Sequence, residues 1–84
     1  MPFFVYIIRS RSSEKYYIGQ TNNLDQRLRR HNNGSESATA PYAPWDLAGA
    51  IEKQTRAEAV RLEAKLKNLS RSRLEDFMKR HIKK

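Results

Sequence analysis

The stretch Tyr16-Tyr17-Ile18-Gly19-Gln20 constrains the fold most, because one other segment, Phe3-Phe4-Val5-Tyr6-Ile7-Ile8, suits it as a partner. Both are rich in aromatic and β-branched residues, the types that fit a pleated, half-buried surface. Arg9 to Lys15, between them, is polar and turn-prone, so the pair reads as a hairpin. With a period of two, Phe4, Tyr6 and Ile8 share one face while Phe3, Val5 and Ile7 share the other. A strand apolar on both faces is expected to be covered on both. Pairing the strands sets Tyr6 beside Tyr17. Gly19 leaves one face of the second strand bare, either to relax a bend or to admit something close to the backbone.

A basic helix follows. Asn23 is its expected N-cap, Gln26 completes a capping box, and Gly34 after Asn33 stops it. Leu24, Leu28 and His31 fall at i, i+4 and i+7 and so share a face. Arg27 is an i, i+4 neighbour of His31, whereas Arg29 and Arg30 point elsewhere. A solvated amphipathic helix accounts for Arg29 and Arg30 but less well for Arg27, which borders the apolar stripe. The hairpin and this helix together carry Tyr6, Tyr17, Arg27 and His31 towards one place.

Ser35 to Pro44 contains Ser, Ala, Thr and two prolines and is expected to be a mobile loop, with Tyr42 packing down or meeting a partner. Trp45, Leu47, Gly49 and Ile51 alternate and read as a third strand. Thr55-Arg56-Ala57-Glu58 is a capping box opening a helix to about Asn68, which accounts for Glu58 without any function. Glu63 lies among that helix's apolar positions, with Ala59, Val60 and Leu66 three or four residues away. A carboxylate there is costly unless something pairs with it. Ser72-Arg73-Leu74-Glu75 is read as a further capping box, opening a last helix with Leu74, Phe77, Met78 and Ile82 on its apolar face. Lys79, Arg80, Lys83 and Lys84 give that helix a basic end.

Eighty-four residues make one domain, 1–84, which buries only about 60–65% of its unfolded surface. There are no cysteines, which excludes disulfides and a thiolate zinc site. Seventeen Lys and Arg against nine Asp and Glu leave a net charge of +8. A solvated basic surface is the plain reading; a polyanion partner, nucleic acid first, is the sharper one. The apolar run ends at Arg9, too short for a membrane span or a signal segment, so no membrane association and a cytoplasmic location are expected.

Val5-Tyr6-Ile7 and Tyr17-Ile18-Gly19 at hairpin spacing, then Thr21, Asn22, Leu24, Arg27 and Leu28, then Glu63 in a later helix, resemble the GIY-YIG nuclease domain. Further likeness lies in Arg27 to Gly34, in Pro44-Trp45-Asp46 and in Ala59 to Lys67. The resemblance covers most of the chain and is nearest to the small single-domain bacterial members and to the catalytic domain of a branched-DNA endonuclease subunit. The first tripeptide lacks the glycine of the family name but keeps its tyrosine. The asparagine that several members carry after the glutamate has no counterpart, since Asn68 comes too early and Glu75 lies in the later helix.

The resemblance implies an α+β fold, a small three-stranded mixed or antiparallel sheet flanked by helices. It also implies a metal-dependent phosphodiesterase site: Tyr6 and Tyr17 as the motif tyrosines, Arg27 on the phosphate, His31 by a weaker transfer, and Glu63 as the ligand of Mg²⁺ or Mn²⁺. Arg27 suits the developing charge on phosphorus, and either phenol, beside a polarised water, suits a general base. The implied function is DNA endonuclease in repair or recombination, structure-selective or directed by a protein partner. DNA is favoured over RNA because Phe3, Phe4 and Tyr16 look internal rather than like a stacking platform. The bland alternatives are a core tyrosine at Tyr6, a packing or capping histidine at His31, a structural Arg27–Glu63 ion pair, and a non-catalytic basic module that retains the fold.

Overall fold

The computed structural model describes residues 2–82. Its elements are β1 (Phe3–Ser10), β2 (Tyr16–Thr21), α1 (Leu24–Asn32), β3 (Trp45–Lys53), α2 (Arg56–Lys67) and α3 (Arg71–His81), with a 3₁₀ turn at Ala40–Tyr42 before β3. The strands form one sheet in the order β2-β1-β3, antiparallel at both pairings. This is the expected α+β architecture, with the sheet antiparallel throughout.

The doubly apolar first strand is the central one, as its composition requires. On one face Val5 and Ile7 join Ile18, Ala59, Leu66 and Leu74, so α2 and α3 cover that side. On the other, Tyr6 and Ile8 meet Trp45, with Tyr17, Leu24, Leu28 and Tyr42 packed around them; α1 and the segment before β3 cover this second side. Tyr6 pairs with Gly19 and Ile8 with Tyr17, so the hairpin sets the two tyrosines on one face while Tyr16 takes the other.

The third strand departs from simple alternation. Ile7 faces Gly49 but Ile8 faces Leu47, leaving Ala48 as an extra residue. This bulge reverses the phase: Trp45 and Leu47 lie on the α1 side and Gly49 and Ile51 on the α2 side. Leu47 remains 41% exposed.

Helix ends follow local chemistry. Asn23 accepts the Gln26 N–H, which is half of the expected box. Gly34 at φ +82 lets the Ser35 N–H reach the Arg30 carbonyl at 3.1 Å, a Schellman closure. Thr55 and Glu58 cap each other reciprocally. The last helix begins earlier than the sequence predicts. Ser70, not Ser72, is its N-cap and accepts the Arg73 N–H, and Glu75 is instead occupied by Tyr16 and Arg71. The inward stripe of α2 is Ala59, Leu62 and Leu66, and Val60 turns to solvent at 46% exposure. The expected basic end of α3 at Lys83 and Lys84 lies outside the described residues.

The segment 35–44, expected to be a mobile loop, is tied down at several points. Thr39 is buried, the Trp45 indole N–H donates to its carbonyl at 3.0 Å, and the Ser10 hydroxyl donates to the Tyr42 carbonyl at 2.6 Å. Tyr42 packs down, as one of the two expectations has it, with the Lys15 ammonium 4.2 Å from its ring centre. Asn32, at the end of α1, clamps Trp45 by accepting its backbone N–H and donating to its carbonyl. The start of β3 is thereby fixed to the helix that carries Arg27 and His31.

Candidate active site

Tyr6 stands at the middle of the central strand and His31 in the last turn of α1, and they meet across the covered face. The Tyr6 hydroxyl and His31 Nε2 are 2.8 Å apart, with Tyr6 2% and His31 1% exposed. Gly19 makes room for this contact. A Cβ at Gly19 would collide with the Tyr6 hydroxyl and stand 2.6 Å from Cζ. Of the two uses of that glycine, close approach is the one realised, and what approaches is the phenol.

His31 is held from its other side as well. Its Nδ1 lies 2.8 Å from Thr39 Oγ1, and the Tyr17 ring packs against the imidazole with centres 5.2 Å apart. The imidazole is thus buried with a hydrogen-bond partner at each ring nitrogen. Burial holds its pKa below the ordinary 6.5, with Arg27 and Arg30 acting in the same sense against Glu36. Burial likewise raises the Tyr6 phenol well above 10; Arg27 opposes that shift, while Tyr17, Glu63 and Glu36 add to it. Neutral phenol and neutral imidazole are therefore the forms present at pH 7.

Arg27, on α1 beside the apolar stripe, is half-exposed and 3.8 Å from the Glu36 carboxylate, which Arg30 binds more closely at 2.9 Å. Glu63 comes from α2 and pairs with Lys67 one turn on, at 2.8 Å. Hence no Arg27–Glu63 ion pair forms; each has a different partner, and Lys67 supplies the countercharge that the position of Glu63 called for. Glu63 still acts electrostatically on Tyr6, and Tyr17 acts on Lys67. Tyr6, Tyr17 and His31 are thus in contact on one face of the sheet, while Arg27 on α1 and Glu63 on α2 reach Tyr6 by charge.

Two neighbours in this cluster, Glu36 and Thr39, carry no signal in the sequence. Nothing in Ser35 to Pro44 marks them: short polar residues before a proline are the composition of an ordinary loop. Tyr16 keeps the plain role expected of it, donating to Glu75 at 3.0 Å between the Arg9 and Arg71 guanidinia.

Stability should report the two buried neutral groups. Unfolded His31 takes up a proton near 6.5, whereas the folded residue does so only at lower pH, so stability falls as pH drops below that value. Unfolded Tyr6 ionises near 10 while the folded phenol keeps its proton, so stability also falls as pH rises past 10. Urea midpoints between about pH 7.5 and about pH 5.5 should decline in the wild type and flatten in His31→Gln; an unchanged slope in the variant would exclude His31 as the source.

The sequence profile of the GIY-YIG catalytic domain matches residues 2–79. A UPF0213 protein of Bacillus velezensis is 32% identical over 76 residues, spanning 89% of this chain and 76% of the relative. Another, from Halalkalibacterium halodurans, is 29% identical over 79 residues, spanning 93% and 83%. The solution NMR structure of UPF0213 protein BH0048 from Bacillus halodurans superposes with a TM-score of 0.64 at 28% identity, covering 96% of this chain and 86% of that one. With the profile spanning nearly the whole length and the hairpin tyrosines, arginine helix and glutamate helix in order, this chain belongs to the GIY-YIG catalytic domain family, a family of nucleases.

Proposed function

We propose that the protein is a metal-dependent DNA endonuclease that hydrolyses phosphodiester bonds at the Tyr6–Tyr17–Arg27–His31–Glu63 cluster. The observation that carries this reading is the 2.8 Å Tyr6–His31 bond, made by two buried, neutral, titratable groups within charge reach of Arg27 and Glu63. A core tyrosine needs a hydroxyl partner, but it does not need an imidazole, an arginine and a carboxylate around it.

The donor set fits a hard divalent ion. Among the described residues no three His, Cys, Asp or Glu converge, so no closed cage exists. Glu63 offers one carboxylate, and a single carboxylate with waters and substrate phosphate is how Mg²⁺ is commonly bound. Such an ion supplies Lewis acidity at the phosphoryl oxygen and lowers the pKa of water. The remaining work falls to the chain. Arg27 binds the non-bridging oxygens and offsets charge developing on phosphorus, a task its planar fork suits. Half-buried Tyr17 lines the approach. Behind it Tyr6 takes the proton of the attacking water as its own passes to His31 Nε2, which spares the site a free phenolate. The charge of +8 favours a polyanion throughout. Repair or recombination, with selection of a branched structure or guidance by a protein partner, is the role proposed for this activity. No helix among the described residues is long and apolar enough to cross a membrane.

The test is cleavage of labelled duplex, flap and single-stranded DNA, and of structured RNA, with Mg²⁺, Mn²⁺ or chelator, for the wild type and Arg27→Ala. Cutting of DNA that needs the metal and falls roughly 10²–10³-fold in Arg27→Ala is expected. Binding without cutting in either metal would make the protein a basic module that retains a nuclease fold.

A further inference from the structure

We propose that Thr39 is a positioning residue of this site, its hydroxyl fixing His31 in the tautomer whose Nε2 accepts the Tyr6 proton. This rests on the reading of Tyr6 and His31 as the proton-carrying pair. A neutral imidazole has one N–H and one lone pair, and both neighbours of His31 are hydroxyls able to donate or accept. The contacts at 2.8 Å on either side therefore leave two arrangements, of which only one lets Tyr6 give its proton to the ring.

The choice is made at both ends of the chain of bonds. Thr39 Oγ1 lies 3.4 Å from the Glu36 carbonyl oxygen, which can only accept. That oxygen also takes the Thr39 and Ala40 N–H groups at 3.1 and 2.9 Å, so the hydroxyl contact is the weaker constraint. The stronger one is at Tyr6, whose buried hydroxyl meets no acceptor but His31 Nε2 among the described residues. With the phenol donating there, the Thr39 oxygen receives His31 Nδ1–H. Nε2 then keeps its lone pair for the Tyr6 hydroxyl. Every bond runs one way: Tyr6 to His31, His31 to Thr39, Thr39 to the backbone of Glu36.

Thr39 is itself rigidly placed. It is 1% exposed, its N–H donates to the Glu36 carbonyl at 3.1 Å, and its own carbonyl receives the Trp45 indole N–H. Such outer support commonly sets which nitrogen of a functional histidine carries the proton. The groups facing His31 are Tyr6 from β1, Tyr17 from β2, Thr39 and Glu36 from the segment before β3, and Arg27 and Arg30 from its own helix. Among the described residues only Tyr6 and Thr39 hydrogen-bond the ring. The methyl group of Thr39 is no part of this role; its hydroxyl is.

The ¹⁵N shifts of the His31 ring decide the matter without substrate. The wild type and Thr39→Ser should show a protonated Nδ1 and an unprotonated Nε2, and Thr39→Val a substantial population of the opposite tautomer. In cleavage, Thr39→Val should lose roughly 10²-fold in kcat with KM nearly unchanged, and Thr39→Ser should recover to within about threefold of wild type. A proton on Nε2 in the wild type would overturn the proposal with no variant needed. So would a Thr39→Val ring identical to the wild type. If the wild type cuts no nucleic acid, the nuclease reading fails, while the ring shifts still decide whether Thr39 sets the tautomer.

Discussion

Glu63→Gln is expected to lower metal-dependent cleavage by at least about 10³-fold, the scale on which a metal supplies charge stabilisation and an activated water, while leaving the protein as stable as the wild type. The two halves of this result have separate causes. Glutamine keeps the size of the side chain and its helix propensity but loses the charge that a hard cation requires. What the fold loses is one i, i+4 pair with Lys67, whose side chain is 51% exposed, and pairs of that kind contribute no more than about 0.5 kcal/mol. Glu63 also holds the Lys67 ammonium above its ordinary pKa, chiefly by direct hydrogen bonding. The ammonium thus occupies the carboxylate that a divalent ion needs, and the exposed lysine is free to swing away. Relaxation of water protons by added Mn²⁺ should reveal binding in the wild type and little in Glu63→Gln, with the two urea midpoints superimposed. A variant that cuts as fast as the wild type would remove Glu63 from the site; one that loses both activity and stability would make it a structural residue.

How much of this was legible in the sequence depends on whether the signal was local. The hairpin was readable because apolar runs of matched length flank a polar turn, and the capping box at Thr55 because its chemistry lies within four residues. The bulge at Ala48 was not, since small residues at Ala48, Gly49 and Ala50 carry too little contrast to show a change of phase. Ser70 and Ser72 both offer a hydroxyl to a following helix, and only the packing of Leu74 and the use of Glu75 by Tyr16 favour the earlier start. Family likeness and periodicity mark Tyr6, Tyr17, Arg27, His31 and Glu63, but they do not mark the partners of these residues. Glu36 beside Arg27, Lys67 beside Glu63 and Thr39 beside His31 are determined by tertiary placement, which alternation and helical spacing do not encode.

Gly19→Val is expected to damage the fold and the site together, unlike Glu63→Gln. Valine is a good strand residue, so propensity alone predicts a gain. The geometry predicts the reverse, because the new Cβ stands 2.6 Å from Tyr6 Cζ and on top of the hydroxyl. Tyr6 is 2% exposed on the central strand and has nowhere to retreat without leaving His31. Overpacking of this kind costs about 1–3 kcal/mol. Separating Tyr6 from His31 adds the penalty of unpaired buried groups, about 1–3 kcal/mol more, a large share of the stability of so short a chain. Gly49 supplies the contrast. The three atoms nearest a Cβ there all belong to the Ile82 side chain, just beyond the end of α3, where the side chain and the helix end can shift aside, so Gly49→Ala should cost less than Gly19→Val, about 1 kcal/mol. Tyr6→Ala removes the obstacle at Gly19, so in that background Gly19→Val should cost far less than it does alone, giving a coupling of about 1–3 kcal/mol in a double-mutant cycle. Additive costs would mean that Gly19 serves the bend of β2 and not the approach of Tyr6, and the glycine of the second motif would then have no part in shaping the site.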